Sequence, residues 1–176
     1  MKRLLSLAMA LLILCGTSIC AFATSDSNTR TINSNPLKRI QANVWIDTWA
    51  TSSGNSNRWE YTVSAKFLDN KDHVEWIKTE WYAFAKIRKS TVITLGIGGS
   101  TTKELTVSAS ASSEWQVKYT PKAYWKNGNY YTISDWANTL VVNSRADYAA
   151  GSKGITNTAS VKVFGDPKTY SVSATT

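Results

Sequence analysis

Residues 58–67 read RWEYTVSAKF, and the period of this run decides the fold class. Trp59, Tyr61, Val63, Ala65 and Phe67 alternate with Arg58, Glu60, Thr62, Ser64 and Lys66, as a strand with one buried face requires. The run before it repeats the pattern. Ile40, Ala42, Val44 and Ile46 alternate with Gln41, Asn43, Trp45 and Asp47, and the polar stretch TSSGNSN at 51–57 separates the two. The apolar set of each run belongs in a core, which sends Gln41, Asn43, Trp45 and Asp47 outward.

Working outward from this pair, the stretch HVEWIKTEWYAFAKIRK at 73–89 fits two periods. Val74, Ile77, Trp81 and Phe84 would line one side of a helix. The aromatic density, and the alternation of Tyr82, Phe84 and Lys86 against Trp81, Ala83, Ala85 and Ile87, favour a strand. Thr91–Ile97 and Thr102–Ala111 flank Gly98-Gly99-Ser100, which reads as a hairpin turn. Within ELTVSASASSEWQVKY at 104–119, Leu105, Val107, Ala109 and Ala111 oppose Thr106, Ser108, Ser110 and Ser112, which predicts one long strand with a hydroxyl-bearing face. Asn127-Gly128 suits a type I′ turn that would set Trp125 opposite Tyr130 and Tyr124 opposite Tyr131. Further strands are expected at 137–143, 158–164 and 168–174, the last two separated by Gly165-Asp166-Pro167. Nine or ten strands of this kind describe an all-β, antiparallel β-sandwich of immunoglobulin-like or jelly-roll type, forming a single domain over residues 39–176.

The N-terminus has a different grammar. Lys2 and Arg3 precede the apolar run LLSLAMALLILCGTSIC and the triplet Ala21-Phe22-Ala23, the order of a secretory signal peptide with cleavage after Ala23. A secreted, extracellular protein of residues 24–176 is the expectation. Both cysteines, Cys15 and Cys20, fall within residues 1–23, so a core rather than a disulfide has to stabilise the rest. The polar stretch TSDSNTRTINSNPLK at 24–38 reads as a flexible leader. Beyond residue 23 the chain carries 18 Lys and Arg against 12 Asp and Glu, a net +6 with His73 neutral. That sign favours anionic partners, while the absence of a basic stripe argues against nucleic acid.

The residue inventory also excludes chemistries. One histidine and no cysteine beyond residue 23 rule out His- or Cys-rich zinc sites and a Cys-His nucleophile pair. His73 sits beside Asp72 in a polar turn and reads as a surface residue. Glu75 and Glu80, five residues apart, would face opposite sides of a strand, which makes a weak glycosidase pair. Asp69-Asn70-Lys71-Asp72 reads as a turn rather than a calcium loop. No enzymatic role, metal or cofactor is expected.

Eight tryptophans and eight tyrosines are the unusual feature. Most belong in the core. Trp45 and Trp49, however, fall on the polar face with Gln41, Asn43 and Asp47, at a separation of about 13–14 Å if both lie on one strand. Two indoles so placed would stack on the rings of an extended sugar chain, with the amides and carboxylate taking hydroxyls. The sequence therefore points to a secreted, monomeric, non-enzymatic module that binds a carbohydrate or anionic cell-envelope polymer. Two alternatives stand beside it: a membrane-active protein using residues 91–112 as an inserting hairpin at a membrane surface, and a structural or biofilm protein assembling through edge strands.

Overall fold

The computed structural model describes residues 23–53, 56–69, 73–87, 92–95, 105–108, 116–143 and 153–176. The described residues contain twelve strands and no helix: β1 (Ala23–Ile32), β2 (Asn35–Asp47), β3 (Thr51–Ser53), β4 (Ser56–Leu68), β5 (Val74–Ile87), β6 (Val92–Leu95), β7 (Leu105–Ser108), β8 (Gln116–Tyr119), β9 (Ala123–Asn127), β10 (Ile133–Asn143), β11 (Lys153–Val163) and β12 (Thr169–Thr175). They make an antiparallel β-sandwich. The first sheet runs β1-β2-β4-β10-β6-β7 with β3 beside β4, and the second runs β12-β11-β5-β8 with β9 also on β5.

The alternation in the two clearest runs sets the core of the first sheet. Ile40, Ala42, Val44 and Ile46 of β2 are buried, as are Trp59, Tyr61, Val63, Ala65 and Phe67 of β4, and the two strands pair from Arg39↔Leu68 to Ile46↔Tyr61. Across the core stand Ile77, Trp81, Ala83 and Ala85 of β5 and Ile155, Ala159 and Val161 of β11. The stretch that fitted both periods is the 14-residue strand β5. Its odd positions from Ile77 to Ala85 are buried, so Lys78, Glu80, Tyr82, Phe84 and Lys86 face out.

Buried polar groups also tie the two sheets across the core. The fully buried Asn157 donates from Nδ2 to the carbonyls of Asn43 and Ser64, both at 2.8 Å, and accepts at Oδ1 from Thr79 Oγ1 at 2.7 Å. Every polar atom of that amide finds a partner, which offsets its desolvation. Trp81 donates from Nε1 to the Tyr61 hydroxyl at 3.0 Å. Burial pushes the Tyr61 phenol far above its ordinary range, so the hydroxyl stays protonated.

Three sequence expectations are corrected by the pairing. Much of the supposed leader 24–38 is strand: β1 pairs with β2 from Ala23↔Asp47 to Thr31↔Arg39, across a turn in which Asn33 and Ser34 both take positive φ, at 51° and 57°. Its polarity has a structural cause. One side of β1 meets water and the other meets the edge of β12, where Asn28 donates to the Ser173 carbonyl at 3.0 Å, Arg30 to the Ser171 carbonyl at 3.1 Å, and Asp26 accepts the Thr175 N–H at 2.9 Å. Residues 1–22, which carry most of the signal-peptide pattern, lie outside the described residues.

Asn127-Gly128 does not close a hairpin. β9 pairs with β5 in the second sheet and β10 with β4 in the first, so residues 128–132 carry the chain between sheets and the expected Trp125–Tyr130 and Tyr124–Tyr131 pairs do not form. Tyr130, at φ 71°, takes the left-handed conformation instead of Gly128, and its N–H donates to the Val74 carbonyl at 3.0 Å. The run 104–119 is likewise not one strand, since β7 belongs to the first sheet and β8 to the second. β6 and β7 do pair as a hairpin would, from Leu95↔Leu105 to Val92↔Ser108, while Gly98-Gly99-Ser100 and residues 109–115 lie outside the described residues.

Candidate functional site

The sandwich has two outer faces, and the sequence singled out residues on only one. Trp45 stands half-buried on the outside of the first sheet, in a cross-strand row with Ser25 of β1, Thr62 of β4 and Ala137 of β10. Its neighbours in the row are small, which leaves a hollow on each side of the indole. One of about 380 Å³ is lined by Ser25, Asp26, Ser27, Asn43, Thr62 and Ser64, and the other of about 250 Å³ by Glu60, Thr62, Ala137, Asn138 and Thr139.

Trp49 is placed differently from the expectation. β2 ends at Asp47, the chain bends at Thr48 and Trp49, and Trp49 projects 69 % exposed beyond the strand, so strand geometry does not space the two indoles. The Asp47 carboxylate accepts the Trp49 N–H at 3.0 Å and so shapes that bend. Gln41 and Asn43 are tied into a ladder across β1, β2 and β4. Gln41 Nε2 donates to Ser27 Oγ at 2.8 Å, Ser27 Oγ to Asn43 Oδ1 at 3.0 Å, and Asn43 Nδ2 to Ser64 Oγ at 3.1 Å. The structure thus keeps Trp45 and Asn43 together, holds Gln41 and Asp47 further along the same strand, and separates Trp49.

The outer face of the second sheet carries what the sequence reading missed. Tyr82 and Phe84 of β5 meet Tyr119 of β8, with ring centroids 5.9 Å and 6.2 Å from it. Together with Lys86, Val117, Thr156 and Thr175 they line a trough of about 390 Å³, within the range of about 300–1,000 Å³ that small-ligand sites occupy. Gly154 of β11 lies opposite Phe84 in the register. A Cβ there would come within 2.4 Å of the Phe84 ring and 2.3 Å of the Thr176 carbonyl oxygen, so the ring folds over β11 only because the position has no side chain.

Beside the trough, β11 and β12 present three rungs of paired hydroxyls: Thr156 with Thr175 at 3.0 Å, and Thr158 with Ser173 and Ser160 with Ser171, each at 2.9 Å. Lysines surround this array. Lys78 and Lys122 each reach Glu80 at 3.0 Å, Lys162 reaches Glu75 at 3.1 Å, and Lys126 lies over the Trp76 ring at 4.7 Å. Partial burial acts to raise the Glu80 carboxyl, but hydrogen bonds from Lys122 and Lys78 and their charges hold it below its ordinary range. With Lys86, five lysines face two carboxylates here. The outward set of β5 was visible in its alternation; what made it a site, the register with Tyr119 and Gly154, is not a property of any one stretch.

His73 is exposed, its ring edge-on to Tyr130 at 5.1 Å. Among the described residues no group of three His, Cys, Asp or Glu gathers to hold a metal. Compared with known proteins, the chain matches no family model and no curated sequence.

Proposed function

We propose that this protein is an exported, non-enzymatic polysaccharide-binding module that holds an anionic cell-envelope polymer across the outer face of its second sheet. The observation that carries the proposal is the Tyr82–Phe84–Tyr119 trough lying between a hydroxyl ladder and a set of lysines. Aromatic rings offer flat apolar area to the C–H faces of sugar rings at little entropic cost. Paired hydroxyls on adjacent strands exchange hydrogen bonds with sugar hydroxyls, and the surplus of lysine attracts carboxylates or phosphates along the chain. No cofactor enters this reading, and one copy of the chain suffices. Export through the signal pattern of residues 1–23 puts the module where such polymers are found.

Affinity electrophoresis of the mature protein through gels containing polygalacturonate, lipoteichoic acid or hydroxyethyl cellulose tests the proposal. Retardation by an anionic polymer, weakening as salt rises, is expected. Tyr119→Ala should lower affinity about 30-fold, the equivalent of removing an aromatic anchor worth about 2 kcal/mol, without moving the urea midpoint. Retardation equal for wild type and Tyr119→Ala, or none in any polymer gel, would sink it.

A further inference from the structure

We infer that the protein is a bridge, in which the Trp45 platform on the first sheet binds a neutral glycan while the trough on the second sheet holds the anionic one; the inference rests on the reading of the trough given above. Trp45 is a large flat ring in a row otherwise made of Ser25, Thr62 and Ala137, open on both sides to hollows of about 380 and 250 Å³. The ring is half-buried, and its strand is held from behind by Asn157, which binds the Asn43 and Ser64 carbonyls. Among the described residues the polar side chains that line the hollows are hydroxyls, amides and the Glu60 carboxylate, with no cationic side chain, while Asp26 turns its carboxylate to the Thr175 N–H on the other side of β1. Carboxylates repel a polyanion and accept hydrogen bonds from sugar hydroxyls, so this face selects an uncharged chain.

The charge on the wider faces agrees. Among the described residues, Arg39, Arg58 and Lys66 stand outward from the first sheet against Asp47, Glu60 and Asp135, an even balance, whereas the second sheet presents five lysines against two glutamates. The two sites also look in opposite directions. Stacked sheets lie about 10 Å apart, with side chains projecting beyond on both sides, so an extended polymer lying flat on one face cannot reach the other. Occupation of both faces therefore joins two different chains, and the module acts as a cross-link between an acidic and a neutral polymer of the envelope or matrix.

The test is a sandwich capture. Wild-type protein is loaded on beads coated with the anionic polymer, polygalacturonate or lipoteichoic acid, that retards it most in the gels, washed, and offered fluorescently labelled hydroxyethyl cellulose, arabinoxylan and galactomannan. At least one neutral chain should be retained in proportion to the protein on the bead. Trp45→Ala should stay on the beads as wild type does and lose the neutral chain about 30-fold. Thr62→Arg, which sets a bulky charged side chain beside Trp45 from an exposed position that lines both hollows, should do the same and guards against a folding defect in the tryptophan variant. Retention of the protein without capture of any neutral chain, or capture unchanged in both variants, overturns the bridge and leaves the trough reading intact. Failure of wild type to stay on the beads overturns both.

Discussion

On the outside of the first sheet the Trp45 indole stands among serine, threonine and alanine; on the outside of the second, Tyr82, Phe84 and Tyr119 lie together beside five lysines. The contrast begins in the core. β4 puts its bulk inward, as Trp59, Tyr61 and Phe67, and leaves Thr62 and Ser64 outside. The far half of β5 reverses this, turning Ala83 and Ala85 inward and Tyr82 and Phe84 outward. A close-packed interior admits bulk from one sheet only where the other yields volume. Trp81 and Ile77 still give the second sheet bulk in the core, but beyond Trp81 the strand turns alanines inward and its aromatics to the surface, and that is where the flat trough arises.

The sharpest way to break the comparison is to truncate tryptophans on the two sides of the first sheet. Trp59→Ala removes a buried ring and should cost about 3–5 kcal/mol in urea melts. The half-buried Trp45→Ala should cost about 1 kcal/mol, and the exposed Trp49→Ala about 0.5 kcal/mol or less. Equal costs for Trp45 and Trp59 would mean that the first sheet's outer face is packed rather than open.

Gly154→Ala asks the same question of the second sheet. Its new methyl cannot coexist with the Phe84 ring and the Thr176 carbonyl where they now stand. Overpacking of this kind costs about 1–3 kcal/mol, and displacement of Phe84 should weaken polygalacturonate retention while leaving neutral-chain binding at Trp45 unchanged. A variant with full trough binding would show that Phe84 is not part of the platform.

How much of this was legible follows from the range over which each cue acts. The strands β2 and β4, their buried sets and the sandwich class could be read because alternation is local and strict in Ile40–Asp47 and Arg58–Phe67. The outward position of Trp45 follows from the same alternation. β1 was misread because its polarity is matched to the β12 edge, some 145 residues away in the chain, and a polar segment with a distant partner looks like a polar segment with none. Asn127-Gly128 misled for the opposite reason: a strong local turn cue was overridden when β9 and β10 joined different sheets. The trough depends on β5, β8 and β11 meeting in one register, which no local pattern encodes.

The smallest expected effect concerns charge on the second face. Glu80 accepts from Lys78 and Lys122, and its carboxyl is held below the ordinary range. A carboxyl depressed on folding adds stability that is present above its unfolded pKa of about 4.3 and is lost as pH falls through the lower folded value. Exposed pairs are worth little, so Glu80→Gln should cost less than about 1 kcal/mol at pH 7, and the difference from wild type should shrink as acid protonates the wild-type carboxyl. Binding should move the other way. Removing the carboxylate frees two lysines and raises the net charge of this face by one, so at pH 7 and low salt Glu80→Gln should hold polygalacturonate a few-fold more tightly, an advantage that fades as salt screens it. Neutral-chain capture at Trp45, on the opposite side of the sandwich, should not respond. If the substitution strengthens both or neither, the two faces do not divide charged from uncharged polymers.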